Sequence, residues 1–369
     1  MRYKELIMKR NQIDIWRLPF MFIVCILHTG ALLTEGYPSV FFSGGYIAVE
    51  FFFIIAGYYL ASAVSAMSPP LRTSARCTGT ETYQFTLRRA KRMYPEFLCG
   101  FILTVVLDSI IYKHPIIFQI KRLLKSGVYE LSLLHMANPH SSNEVIFSVA
   151  WYISALLFAT FIIFPCLREF PDLFKNYVSP LLMMMYLCIS GSGEDILIGN
   201  MTIYGVLMGG TIRAVAEMAW GTFLFERVEE IKEHKRYNGQ KKYAPLFWTV
   251  LEFTCFAFVI IVSFFEGNTK WDFTHFAMLT IGIIICLSEI DFQIPFITDN
   301  TLRFCADFSF ALYMGHRRVI NFTKMLVPQY QYPIRLLYYL VFATAFSLAI
   351  YWICKWYRYH LRKYQKTHP

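Results

Sequence analysis

The chain has 369 residues, of which 56% are hydrophobic, 18% aromatic and only 16% charged, with a mean hydropathy of +0.43. Soluble domains carry about 25% charged residues, and a soluble core of this length could not absorb so many Phe, Tyr, Leu and Ile and still present a polar surface. Lipid is the solvent that fits, because helices satisfy their own backbone hydrogen bonds inside it.

The net charge of +10 and pI near 9.1 leave two readings. Basic residues serve nucleic-acid binding, or they hold cytoplasmic loops inside by the positive-inside rule. No nucleic-acid motif is present, so no nucleic-acid partner is expected, and the distribution of charge favours the second reading. The nine cysteines lie mostly in apolar runs without CxxC or metal-type spacing. They read as small hydrophobes, and neither a metal nor a permanently bound cofactor is expected.

In chain order, apolar segments fall at 15–33, 45–66, 95–112, 149–166, 178–190, 204–225, 246–265, 273–288, 304–322 and 333–356. Basic residues precede the first, no small-residue cleavage site follows it and Arg17 interrupts it, so it is expected to stay as an anchor. With the amino terminus inside, the inner loops hold 24 Lys and Arg against 6 in the outer ones. That split predicts an all-α, polytopic bundle of ten transmembrane helices with both termini cytoplasmic, in one domain over 1–369. The longest outer connection, 113–148, begins with apolar and basic positions at helical spacing. An interfacial helix and an ordinary loop helix both fit that pattern.

Ionisable residues inside these segments are costly in lipid and usually face a cavity or a partner. They include Arg17, His28, Glu50, Asp108, Arg213, Glu217, Glu252, His275 and His316. Arg17 and His28 are eleven residues apart. At about 100° per residue they share one face of the first helix, roughly 16 Å apart along it. Asp108, Glu252 and His275 read as snorkelling or paired residues, and Arg213 as an ion-pair partner of Glu217 one turn on. Arg89 and Arg92 also share a helical face, and two guanidinium forks side by side suit a phosphate. A stop-transfer basic cluster is the plainer reading of the same stretch. Pro95 is expected at the first turn of the third helix. Ser309, Tyr313 and His316 lie at i, i+4 and i+7 on one face.

Four stretches together resemble the acyltransferase 3 family of polytopic membrane acyltransferases. The family's Arg, ten residues, His pattern appears from Arg17-Leu18-Pro19 to His28. Its Phe-Phe-x-x-Ser-Gly stretch appears within Val49-Glu50-Phe51-Phe52-Phe53-Ile54-Ile55-Ala56-Gly57-Tyr58. Its Arg-x-x-Arg-x-x-Pro pattern runs from Arg89 through Arg92 to Pro95, and a late Ser, Tyr and His stretch runs from Ser309 through Tyr313 to His316. Weaker echoes are Ala150-Trp151-Tyr152 and the stretch from Arg213 to Gly221. One departure stands out: Ala56 occupies the Ser position, so no hydroxyl is required there.

The resemblance implies transfer of an acyl group, acetyl by default, from cytoplasmic acyl-CoA to a hydroxyl of an extracytoplasmic or lipid-linked glycan. It implies a place in the lipid bilayer of the bacterial cytoplasmic membrane. Carried onto these positions, it makes His28 the general base, with an acyl-histidine as the less favoured variant. Arg17 would bind donor phosphate or polarise the carbonyl. Arg89 and Arg92 would hold acyl-CoA. Glu50, Trp151, Ser309, Tyr313 and His316 would contact the acceptor, with structural roles the alternative for each. A transporter or flippase for a lipid-linked sugar is the competing class.

Overall fold

The computed structural model describes residues 11–33, 41–67, 75–137, 145–191, 202–203, 207–238, 245–265, 272–295 and 297–367. The basic residues of the amino terminus, with Arg72, Lys241, Lys242 and Lys270, lie outside the described residues, as does the start of the sixth apolar segment, 204–206.

Among the described residues ten longer helices follow one another. They are α1 (Ile13–Leu27), α2 (Ile47–Ser65), α3 (Ala75–Tyr112), α4 (Ala150–Glu169), α5 (Ser179–Gly191), α6 (Gly209–Asn238), α7 (Pro245–Phe265), α8 (Asp272–Ser288), α9 (Asp299–Leu326) and α10 (Tyr332–Thr367). A two-residue antiparallel ribbon, β1 (Thr202–Ile203) with β2 (Leu207–Met208), precedes α6. Six helical stretches are long and apolar enough to cross a membrane: Ile13–Gly30, Ile47–Ser65, Thr78–Tyr112, Ala150–Glu169, Pro245–Phe265 and Tyr332–Gln365. The other four fall short for physical reasons. α5 has 13 residues and α8 has 17. α6 and α9 are long enough but carry Arg213, Glu217, His316, Arg317 and Arg318 within their length. They are the polar helices of the bundle, and α9 packs against α1, α3 and α10.

Helix directions can be read from side-chain contacts. His28 meets His316, and Leu18 packs against the cluster that holds Phe308 and Ala311, so α1 and α9 run parallel. Tyr339 donates to the Cys25 carbonyl at 3.3 Å and Tyr332 meets Thr29 at 2.7 Å, so α10 runs antiparallel to α1. Arg168 with Glu81 and Arg89 with Thr160 make α3 and α4 antiparallel. Trp16 with Glu252 and Phe20 with Phe256 make α1 and α7 parallel. α2 and α6 are parallel and touch backbone to backbone. A Cβ at Gly57 would stand 1.9 Å from the Met218 carbonyl oxygen, and one at Gly221 2.0 Å from that of Ile54. Only glycine permits this approach, the small-residue packing that lets membrane helices close on each other.

Three expectations need correction. α3 begins at Ala75, twenty residues before Pro95, so Pro95 lies inside the helix rather than at its first turn. A helix-interior proline removes one hydrogen bond and clashes with the carbonyl four residues back, yet the helix continues through it. The arginines at 88–92 therefore ride on a helix rather than in a loop. α6 starts at Gly209 and extends past residue 225 to Asn238, and α10 continues to Thr367.

The connection after α3 is helical over Ile116–Arg122, Leu123–Gly127 (a π turn) and Val128–Leu131. Its Ile116, Ile117, Leu124 and Val128 are exposed. Arg122 anchors it, donating to Asp108 at 3.0 Å and to the Val145 carbonyl at 3.1 Å. Cys25, Cys99, Cys166, Cys188, Cys255, Cys286, Cys305 and Cys354 are free thiols, and Cys99 and Cys354 approach to 3.8 Å.

Candidate active site

α1 ends at Leu27, and His28 opens a 3-10 turn, His28–Leu32, that carries the chain out of the helix. This places the imidazole just past the end of α1, half-buried, rather than on the helix itself. There it stacks on His316 of α9, ring centroids 5.5 Å apart and planes 22° from parallel. No periodicity within one segment marks this pairing, because one histidine follows the first helix and the other lies on the ninth.

His316 is fully buried and its Nδ1 lies 2.8 Å from the Tyr313 carbonyl oxygen. A carbonyl only accepts, so Nδ1 carries the proton in this contact and Nε2 is left as a lone pair. Among the described residues Nε2 has no hydrogen-bond partner. The backbone thus fixes the tautomer of a buried imidazole with its basic nitrogen unspent.

From His316 a row of aromatic rings leads back along the bundle. Tyr313 lies 5.7 Å from His316, and Tyr152 of α4 lies 5.3 Å from Tyr313, edge to face. Tyr152 stands within electrostatic reach of both Arg17 and Arg89. Tyr152 had no role in the sequence reading beyond its place beside Trp151. Its proximity to charges of two other helices is visible only in three dimensions.

The predicted arginines differ from one another. Arg17 pairs with Asp14 at 2.7 Å, one turn earlier on α1, and its guanidinium lies 5.9 Å from the Tyr59 ring centre. Its charge is therefore largely compensated. Arg89 is half-buried and donates to the Thr160 hydroxyl at 3.0 Å, and no carboxylate pairs with it among the described residues. Arg92 is exposed, and its carbonyl accepts from Arg358 at 3.2 Å. The structure therefore turns Arg89 inward and leaves Arg92 at the surface.

The remaining candidates are placed as follows. Glu50 of α2 lies 3.7 Å from Arg213 of α6, which also holds Glu217 at 2.7 Å and donates to the Tyr46 carbonyl at 2.9 Å. The close α2–α6 approach is what brings Glu50 to that guanidinium. Trp151 packs edge-on to Phe53 and lies over Gly210. The Ser309 hydroxyl bonds the Ala306 carbonyl at 2.9 Å, and the Tyr313 hydroxyl donates to the Val149 carbonyl at 2.9 Å. Glu252 accepts from Trp16 at 2.8 Å and gathers with Cys286 and Asp291, their ligand-type atoms all within 4.8 Å of one another. Asp108 pairs with Arg122 at 3.0 Å and Arg318 at 2.6 Å.

Histidines, arginines and tyrosines gathered inside a bundle whose apolar helices are long enough to cross a membrane define an integral membrane protein with an internal polar site. The chain belongs to the acyltransferase 3 family, whose model, an acyltransferase domain, matches residues 10–356. It is similar to the O-acetyltransferase OatA of Staphylococcus aureus strains NCTC 8325 / PS 47, COL and MRSA252. In each case it is 25% identical over 319 residues, covering 79% of this chain and 49% of the relative. The chain thus spans about half the length of the curated relatives it matches. No solved structure matches it.

Proposed function

We propose that this chain is a membrane O-acyltransferase that takes an acyl group, by default acetyl, from cytoplasmic acyl-CoA and places it on a hydroxyl of an extracytoplasmic or lipid-linked glycan. The observation that carries the reading is the row of neighbouring rings Tyr152, Tyr313, His316 and His28, whose Tyr152 end stands within electrostatic reach of Arg89. It joins an uncompensated cation at one end of the bundle to a basic imidazole pair at the other. Family membership and the O-acetyltransferase relatives supply the chemistry.

In this reading Arg89 holds donor phosphate, with Arg92 at the surface beside it, and Arg17 lies where the thioester enters. His28 takes the proton of the acceptor hydroxyl, with His316 stacked against it. The acceptor oxygen forms a bond to the thioester carbonyl carbon. The carbon–sulfur bond then breaks, and CoA leaves as a thiolate. Glu50 belongs to the support of the site, held by Arg213. Trp151, Ser309 and Tyr313 form the wall along which the acceptor approaches.

The topology proposed is ten crossings with both termini cytoplasmic, in a bacterial inner membrane. Its support is the loop charge and the helix directions. Odd-numbered helices run one way and even-numbered helices the other wherever contacts define them, as ten successive crossings require. The test is acyl transfer from radiolabelled acetyl-CoA by the full chain in proteoliposomes supplied with cell-envelope glycan. His28→Ala should abolish transfer while the protein still inserts and folds. Transfer at the normal rate by that variant would remove His28 from the mechanism.

A further inference from the structure

Cys99 of α3 and Cys354 of α10 come from two helices that both pack on α9. Their sulfurs lie 3.8 Å apart. About one turn along each helix, Arg358 of α10 donates to the Glu96 carboxylate of α3 at 2.6 Å and to the Arg92 carbonyl at 3.2 Å. Those bonds fix the antiparallel register that sets the two thiols opposite one another. Both are free thiols, Cys354 buried and Cys99 half-buried.

The pair sits against the helix that carries His316. Cys354 belongs to an apolar cluster with Phe308 and Ala311 of α9, and Cys99 packs against that cluster. The next contacts along are tight. A Cβ at Gly100 would stand 2.8 Å from the Met314 carbonyl oxygen, and one at Gly315 2.7 Å from the Ser347 hydroxyl oxygen. α3 and α10 therefore both bear on α9 at the stretch from Tyr313 to His316. At these points a shifted helix meets backbone or a short side chain rather than a long one that could yield. In a close-packed interior such a shift is passed on to the neighbouring helix.

We propose that Cys99 and Cys354 are a reversible disulfide site that ties α3 to α10 against α9. The oxidant is a low-molecular-weight disulfide. One cysteine attacks it as the thiolate, takes one half as a mixed disulfide and releases the other half. The second cysteine thiolate then attacks the protein sulfur of the mixed disulfide and expels the remaining half. The two protein thiols give up two electrons and two protons, which leave with two small thiols. The sulfur–sulfur bond is about 2.0 Å long, so closure draws the two helices together, and α9 with its His316 is repositioned between them. In the proposed topology the pair lies toward the cytoplasmic end of both helices. Cytosolic thiols keep disulfides there transient, which suits a sensor rather than a structural staple. Only the effect on acyl transfer rests on the acyltransferase reading.

The test uses the purified full chain in detergent, treated with dipyridyl disulfide, digested without reduction and mapped by mass spectrometry. A peptide linked through Cys99 and Cys354 should account for most of the chain and disappear with dithiothreitol. Amide exchange over 309–316 should slow in the linked chain and recover on reduction. Acyl transfer should fall by about fivefold or more, the lower end of coupling between distinct sites, and recover likewise. Cys354→Ser should keep the reduced chain's transfer rate and lose the link, the slowed exchange and the reversible inhibition. Recovery of Cys99 and Cys354 as separate mixed disulfides, or a link that leaves amide exchange unchanged, overturns the proposal. Absence of transfer in the reduced chain would instead count against the acyltransferase reading, while the link and the exchange still decide the clamp.

Discussion

At the scale of single residues, the site rests on two groups left unspent by their surroundings. One is His316 Nε2, whose ring is fixed through Nδ1 by the Tyr313 carbonyl. His316→Ala should lower the turnover of acyl transfer by about 10²-fold or more, the range for a lost acid–base partner. A fall confined to acceptor KM would make it a binding residue only. The other is Arg89, which meets a hydroxyl but no carboxylate among the described residues. Arg89→Ala should weaken acyl-CoA binding by a factor of ten or more while acceptor KM stays within twofold. Arg92→Ala should do much less, since Arg92 faces outward. Titration of the purified variants with acetyl-CoA checks both. The sequence placed Arg17 and His316 on their helices, because buried charge in an apolar run is conspicuous, but His28 lies in the turn just past α1 and Arg89 on a helix where hydropathy marked a loop. It could not pair His28 with His316, or bring Tyr152 near Arg17 and Arg89. Those neighbours come from different helices, and no periodicity within one segment records them.

Among the elements, the α2–α6 contact positions the buried Glu50, Arg213 and Glu217 group. Gly57→Leu should destabilise the fold by more than the ~1–3 kcal/mol of ordinary overpacking, since the new side chain meets backbone rather than a movable side chain. A lowered midpoint of thermal unfolding in detergent measures it. Removing Arg213 should also be severe, because two carboxylates would remain buried without their cation, a loss on the order of 3–5 kcal/mol. The outer segment has its own signature. Glu130 is fully buried and accepts from the amides of Ile146 and Phe147, each at 2.9 Å. Burial outweighs those bonds and the nearby Arg122 and Arg318, and raises its carboxyl to about 7. A carboxyl raised by folding holds its extra proton below that value. Its contribution to stability is full below the ordinary carboxyl range and is lost as pH rises through about 7. Proteolysis of the 113–148 segment should therefore speed up between pH 5 and pH 8, and Glu130→Gln should flatten that dependence. Element limits were the less legible part of the sequence. α3 extends far before Pro95 because its polar first half forms a helix without being apolar, and hydropathy marks only the second half.

For the whole molecule, ten apolar runs were legible, but among the described residues only six helical stretches meet the length and apolarity of a membrane crossing. The shortfall has a reason: α6 and α9 carry the charges that the interior uses, so the helices nearest the function are the least apolar. The proposed function has the acyl group cross the bundle along the rings from Tyr152 to His28, so transfer across the bilayer is what it stands on. It is tested most directly in sealed proteoliposomes of uniform orientation, with radiolabelled acetyl-CoA confined to the compartment facing the Arg89 end and glycan acceptor confined to the other. The account predicts labelled ester on the acceptor across the bilayer, abolished by His28→Ala. Label appearing only when acceptor and acetyl-CoA share one compartment would contradict it.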